Sequence, residues 1–204
     1  IVQNEKLFQR IEKVYTDEAA MKALTPEQKR LTWNYYTNFT RAGAKLDAKS
    51  KGRLSEINQE LASLFTKFSQ NQLHDEMEIR LVLTSKEDLA GLPQSLVDAA
   101  AAAAKEPGTW VIRNTRSSVE PFLTYSSRRD LREKAWRMFV NRGDNGGEFD
   151  NNSIITNILK LRAERAKLLG YSTHAHWRLE NSMAKTPERA VELMEKVWTP
   201  AVAR

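Results

Sequence analysis

A chain of 204 residues, 41% hydrophobic and 28% charged, is long enough for one globular domain with its own core. Its longest apolar run, the alanine tract Ala99 to Ala104, falls far short of a membrane span. The absence of cysteine excludes disulfides and thiolate metal sites, and the net charge of +6 is modest but unevenly spread.

In chain order, Leu7, Ile11, Val14 and Tyr15 share one face of a short amphipathic helix over Glu5 to Tyr15. Thr25-Pro26-Glu27-Gln28 combines a cap, a proline suited to the first helical position and the acceptor of a capping box. The helix it opens carries Leu31, Tyr35 and Phe39 to about Gly43. After Asp47 comes the longest clean pattern: Leu54, Ile57, Leu61, Leu64, Phe65 and Phe68 form one expected buried face. The period then changes. Ile79, Leu81 and Leu83 alternate with Arg80, Val82 and Thr84, which predicts a half-buried strand.

Ser85 to Asp88 caps a short turn, and Gly91-Leu92-Pro93 opens an alanine-rich helix to about Lys105. Glu106-Pro107-Gly108 ends it, and Trp110-Val111-Ile112 reads as a second strand able to pair with the first. Helices resume from Ser118. A further one, capped within Ser127 to Asp130, presents Leu131, Ala135, Met138 and Phe139 on one face. The expected fold class is therefore mostly α, with a small two-stranded β excursion at about residues 78–115 within one domain over 1–204.

A glycine-bearing loop, Gly143 to Phe149, leads into the stretch Asp150 to Gly170. There Ile154, Ile155, Ile158, Leu159, Leu161, Ala166, Leu168 and Leu169 fill about half a helix circumference at roughly 100° per residue. Such breadth predicts a helix covered on two sides. Asp150, Asn151 and Asn152 are candidate caps and Gly170 the stop. Short helices are expected over Ser172 to Met183 and from Thr186-Pro187-Glu188 to Trp198.

Candidate chemistry is sparse. His174 and His176 point about 200° apart on a helix and cannot share a metal, and His74 stands at a helix end. GDNGGEFDNN matches neither the twelve-residue calcium loop nor a phosphate loop, and reads as a loop ending in a helix cap. Asp75, Glu76 and Glu78 carry no sign of desolvation that would make an acid–base pair. No catalytic and no metal-binding residue is therefore assigned. Arg162 and Arg165 lie inside the apolar arc, where a guanidinium needs a partner. Internal ion pairs, with Glu180 or Asp150, are the simpler reading. The sharper one makes them substrate-binding, one of them meeting a peptide carboxylate in a channel.

From Arg113 to Arg142 eight Lys/Arg stand against three Asp/Glu. This basic face raises the alternative of an independent helical module for an acidic partner or nucleic acid. A solvated face is the plainer explanation, and neither nucleic acid nor membrane is the expected partner. Cysteine-free composition fits a reducing compartment, so a cytoplasmic location is expected. Ile1 already falls in a helical pattern, which leaves an upstream leader peptide, and so an exported form, open.

Three segments in order carry a resemblance: NRGDNGGEFDN (Asn141 to Asn151), LRAERAKLLGY (Leu161 to Tyr171) and MAKTPE (Met183 to Glu188). Together they resemble the thimet-oligopeptidase and oligopeptidase A family of zinc metallopeptidases, nearest its bacterial peptidyl-dipeptidase branch. The resemblance implies a large, mostly helical, neurolysin-like enzyme whose two halves enclose a channel. It also implies short peptides as substrates, dipeptide release from their C-termini, and zinc held by H-E-x-x-H and a further glutamate. That motif is absent from this sequence. The resemblance thus assigns the chain to the part before the catalytic region, its partner being the catalytic remainder of the same polypeptide. By that implication the segment forms a channel wall, binds no zinc and is inactive alone.

Overall fold

A computed structural model describes residue 2 and residues 4–204; Ile1 and Gln3, and the helical placement expected at Ile1, lie outside the described residues. The described residues form ten helices, one 3-10 turn and a two-stranded sheet. The helices are α1 (Glu5–Thr16), α2 (Glu18–Ala23), α3 (Pro26–Arg41), α4 (Ala48–Glu78), α5 (Gln94–Ala103), α6 (Arg116–Tyr125), α7 (Arg129–Val140), α8 (Asn152–Leu168), α9 (His174–Leu179) and α10 (Pro187–Val202). The strands are β1 (Arg80–Leu83) and β2 (Trp110–Arg113). The mostly α class with its β excursion is the observed one. Only α2 has no counterpart in the sequence reading; its start depends on one side chain, Asp17, accepting from the Ala20 amide at 2.9 Å.

The chain divides into two compact units, Ile1–Ala62 with Ile158–Arg204, and Ser63–Asn157. In the first, Phe8 of α1 packs against Phe39 of α3 and Ala44, with Ile11 and Tyr36 at the margin. Tyr15 and Tyr36 stack with ring centroids 3.9 Å apart. Thr25 starts α3 by the expected capping box, its hydroxyl accepting from the Gln28 amide while the Gln28 side chain accepts from the Thr25 amide. Of the α3 face, Phe39 is buried but Leu31 and Tyr35 are exposed. Three of the six residues expected to line α4 are fully buried, namely Leu54, Ile57 and Leu61, while Phe65 is exposed. Their spacing of three and four makes a single narrow stripe.

The second unit has the larger core: Leu83, Ala100, Ile112, Val119, Phe122, Leu131 and Ala135. β1 and β2 pair antiparallel, with Leu81 opposite Ile112 and Leu83 opposite Trp110. Alternation sends Leu83 and Ile112 inward to complete exclusion from solvent while Val82 faces out. Gly91 turns at φ +86, and any Cβ there would lie 2.4 Å from the Tyr125 carbonyl oxygen, so the sharp approach of chain to chain demands glycine.

α8 departs from its expectation. Ile154, Ile158, Leu161 and Ala166 are buried, but Ile155 and Leu159 are exposed. One stripe of the broad apolar arc is covered, not two sides. The stop at Gly170 holds: φ is +83, Gly170 N–H donates to the Lys167 carbonyl at 3.0 Å and Tyr171 N–H to the Ala166 carbonyl at 2.8 Å. These two bonds satisfy carbonyls that the helix end would leave open.

Candidate functional site

The loop before α8 is held from α4 by a buried carboxylate. Asp75, only 4% exposed, accepts from the Gly143 amide at 2.7 Å and from Asn145 Nδ2 at 2.8 Å. Asn151, buried beside it in the same unit, donates to the Phe68 carbonyl and accepts from Asn71 Nδ2 at 3.0 Å. Asp150 accepts from the Gly146 and Asn152 amides, which holds its carboxyl below the usual range. The loop is thus a pinned entry to α8, as its composition suggested. No neighbour in sequence desolvates Asp75; the groups that cover it come from residues about seventy positions away. Glu76 pairs with Arg142, whose guanidinium also lies 4.1 Å from the Phe139 ring.

Four of the eight basic side chains of the stretch Arg113 to Arg142 form ion pairs within their own unit. Arg128 bridges Asp88 at 2.7 Å and Asp130 at 2.8 Å, which draws the Asp130 carboxyl down to about 2. Arg116 pairs with Glu120 and Arg137 with Glu133. Two of the acids, Asp88 and Glu76, come from outside the stretch, so a local count overstated its surplus.

The three histidines have different surroundings. The His74 ring stacks on Phe149 at 3.5 Å, with Asp75 at 3.5 Å. His176 Nδ1 meets the Thr173 hydroxyl at 2.8 Å. His174 is surrounded by arginines, whose charges repel a dication, and burial together with Arg162, Arg165 and Arg178 pushes its pKa down. No group of three His, Cys, Asp or Glu side chains suited to a metal occurs among the described residues.

The densest convergence of functional groups surrounds Trp177 of α9. Thr173 caps this short helix, its hydroxyl accepting from the His176 amide, and so turns His174 and Trp177 to one side. Their rings lie 5.4 Å apart. The Arg165 guanidinium lies 4.6 Å from the indole centroid and donates to Asn58 Oδ1 at 3.0 Å. Arg41, buried at the end of α3, donates to Glu180 and to the Trp177 carbonyl, and its Cζ lies 5.5 Å from the indole centroid. Tyr171 donates to the same Glu180 at 2.6 Å, and burial, aided by this bond, pushes its hydroxyl up to about 12.

For Arg165 the geometry corrects one expectation. Glu180, a suggested partner for the α8 arginines, is engaged by Arg41 and Tyr171, and Asp150 by backbone amides. Arg165 takes a neutral amide and an aromatic face instead. Burial, Arg162 and Arg178 together lower its affinity for its proton. Arg41, His174, Trp177 and Arg178 were not singled out as a site in the sequence. The i, i+3 spacing of His174 and Trp177 was the one available signal.

The chain matches the model of Peptidase family M3 over residues 122–203. It is 37% identical over 173 residues to organellar oligopeptidase A of Arabidopsis thaliana, covering 78% of this chain and 22% of that protein. Against dipeptidyl carboxypeptidase of Escherichia coli it is 32% identical over 204 residues, 98% of this chain and 30% of the relative. Against oligopeptidase A of Haemophilus influenzae it is 33% identical over 174 residues, 82% and 26% respectively. The chain therefore spans between 22% and 30% of the length of these relatives. No helix among the described residues is long and apolar enough to cross a membrane.

Proposed function

Because the chain belongs to peptidase family M3, we propose that it is part of a zinc-dependent oligopeptidase that hydrolyses short peptides by releasing dipeptides from their C-termini. Within that enzyme these residues form a wall of the substrate channel and contribute no group to bond cleavage. The zinc and its ligands belong to the catalytic remainder of the polypeptide, and Arg162 and Arg165 are the channel-facing candidates on this side. The enzyme acts in the cytoplasm.

The observation that carries this reading is the similarity to dipeptidyl carboxypeptidase along 98% of the chain, in a sequence without H-E-x-x-H. Its chemistry is steric and electrostatic: helices such as α4 and α8 bury one stripe each and leave cationic side chains outside the core. Product mapping by mass spectrometry on the parent protein tests it. Short unstructured peptides are expected to lose dipeptides successively from the C-terminus. The 204-residue chain alone is expected to cleave none and to hold no stoichiometric zinc. Hydrolysis by the isolated chain would overturn the wall role.

A further inference from the structure

Basic side chains gather about Trp177, and two of them, Arg165 and Arg178, have no ion pair among the described residues. Arg165 stands over its ring, His174 tilts against it, and the exposed Arg178 follows it on α9. Arg162 acts electrostatically on both Arg165 and His174. Neither Arg165 nor Arg178 forms an ion pair among the described residues, and the nearby carboxylate of Glu180 is held by Arg41 and Tyr171. Two buried nitrogens, Arg165 Nε and His174 Nδ1, have no hydrogen-bonding partner there either. Buried polar atoms are normally satisfied, and an unsatisfied donor beside clustered like charges marks a place where an anion is missing.

We propose that Arg165, His174 and Arg178, arrayed about Trp177, form a carboxylate-binding site. This deepens the preceding reading and rests on it for one of its two sources. Arg165 supplies Nε and the guanidinium edge not committed to Asn58, a fork matched to two carboxylate oxygens. His174 adds a third donor in the tautomer that protonates Nδ1, and Arg178 adds charge from the solvent side. The indole face holds the Arg165 plane in place, so little freedom is lost when the anion arrives. The carboxylate comes either from the C-terminus of a peptide substrate or from an Asp or Glu side chain elsewhere in the parent polypeptide.

The test uses the full-length parent protein with Arg165→Met, Arg165→Lys and Arg178→Met, each assayed on one short peptide as its free acid and as its C-terminal amide. If the ligand is the peptide terminus, Arg165→Met raises KM for the acid about tenfold, Arg178→Met raises it less, and the amide is unaffected. If the ligand is internal, the acid-to-amide ratio stays constant. The melting temperature then falls with Arg165→Met and is partly restored by the charge-retaining Arg165→Lys. The proposal is overturned if the acid-to-amide ratio is constant and Met and Lys at 165 give equal melting temperatures. A parent protein that cleaves neither peptide removes the proposed activity, while the melting comparison still decides the carboxylate site. Arg178→Met, at an exposed position, keeps the kinetic comparison available should the residue 165 variants fail to fold.

Discussion

Arg41 and Trp177 clasp each other across 136 positions of sequence: the guanidinium donates to the Trp177 carbonyl, and the indole Nε1 donates to the Arg41 carbonyl at 3.2 Å. This reciprocal pair ties the end of α3 to α9, and Glu180 anchors Arg41 from the far side. Trp177→Phe keeps a ring for Arg165 but leaves the Arg41 carbonyl without its donor. The expected cost is about 1–3 kcal/mol, the usual penalty for an orphaned buried acceptor. Urea unfolding monitored by far-UV circular dichroism should show a lower midpoint at unchanged slope.

Gly143 provides a second prediction. Its φ is +74, and an added Cβ would sit 2.6 Å from Asn151 Nδ2, which is itself bonded to the Phe68 carbonyl. Gly143→Ala therefore meets both backbone strain of about 1–2 kcal/mol and a clash with a buried amide. Asp75→Ala removes the acceptor for the same loop and is expected to cost about 1–3 kcal/mol. Because the two act on one loop, the double variant should lose less than the sum of the singles, as read in a double-mutant cycle.

Leu61, 2% exposed, belongs to the buried apolar stripe of α4. Leu61→Ala is expected to destabilise by about 2–5 kcal/mol through lost contacts and a residual cavity. Leu61→Asp should abolish cooperative unfolding altogether. An unchanged thermal melt for either variant would show that this face of α4 is not a core face.

His174 predicts how acid acts on the fold. Burial and the charges of Arg162, Arg165 and Arg178 depress its pKa in the folded chain below the ordinary value of 6.5. Between that lowered value and 6.5 the unfolded chain binds a proton that the folded chain refuses, so stability falls as pH drops through this window. Above 6.5 both states are neutral and the effect vanishes. His174→Gln should flatten the stability profile between pH 7 and 5 relative to the parent sequence, measured by urea midpoints at constant ionic strength. A carboxylate bound beside Arg165 would oppose the depression and narrow the same window from its lower edge.

Much of the architecture was legible because it is encoded over three or four residues. Thr25 with Gln28, Thr186 with Pro187, and Gly170 beyond α8 act through neighbours in sequence, and each sits where its chemistry predicts. The alternation of Leu81 and Leu83 about Val82 exposes a period that only a strand satisfies. Family membership was equally legible, since it resides in short ordered segments such as LRAERAKLLGY.

Tertiary structure alone decided which partner each charge found and how much of each apolar arc was covered. Glu180 went to Arg41 and Tyr171, Asp75 was buried by a loop far along the chain, and Ile155 and Leu159 stayed exposed. The reason is physical. Capping and periodicity depend on backbone geometry within one turn, whereas desolvation and ion pairing depend on which distant elements pack nearby, and no local pattern of residues specifies that.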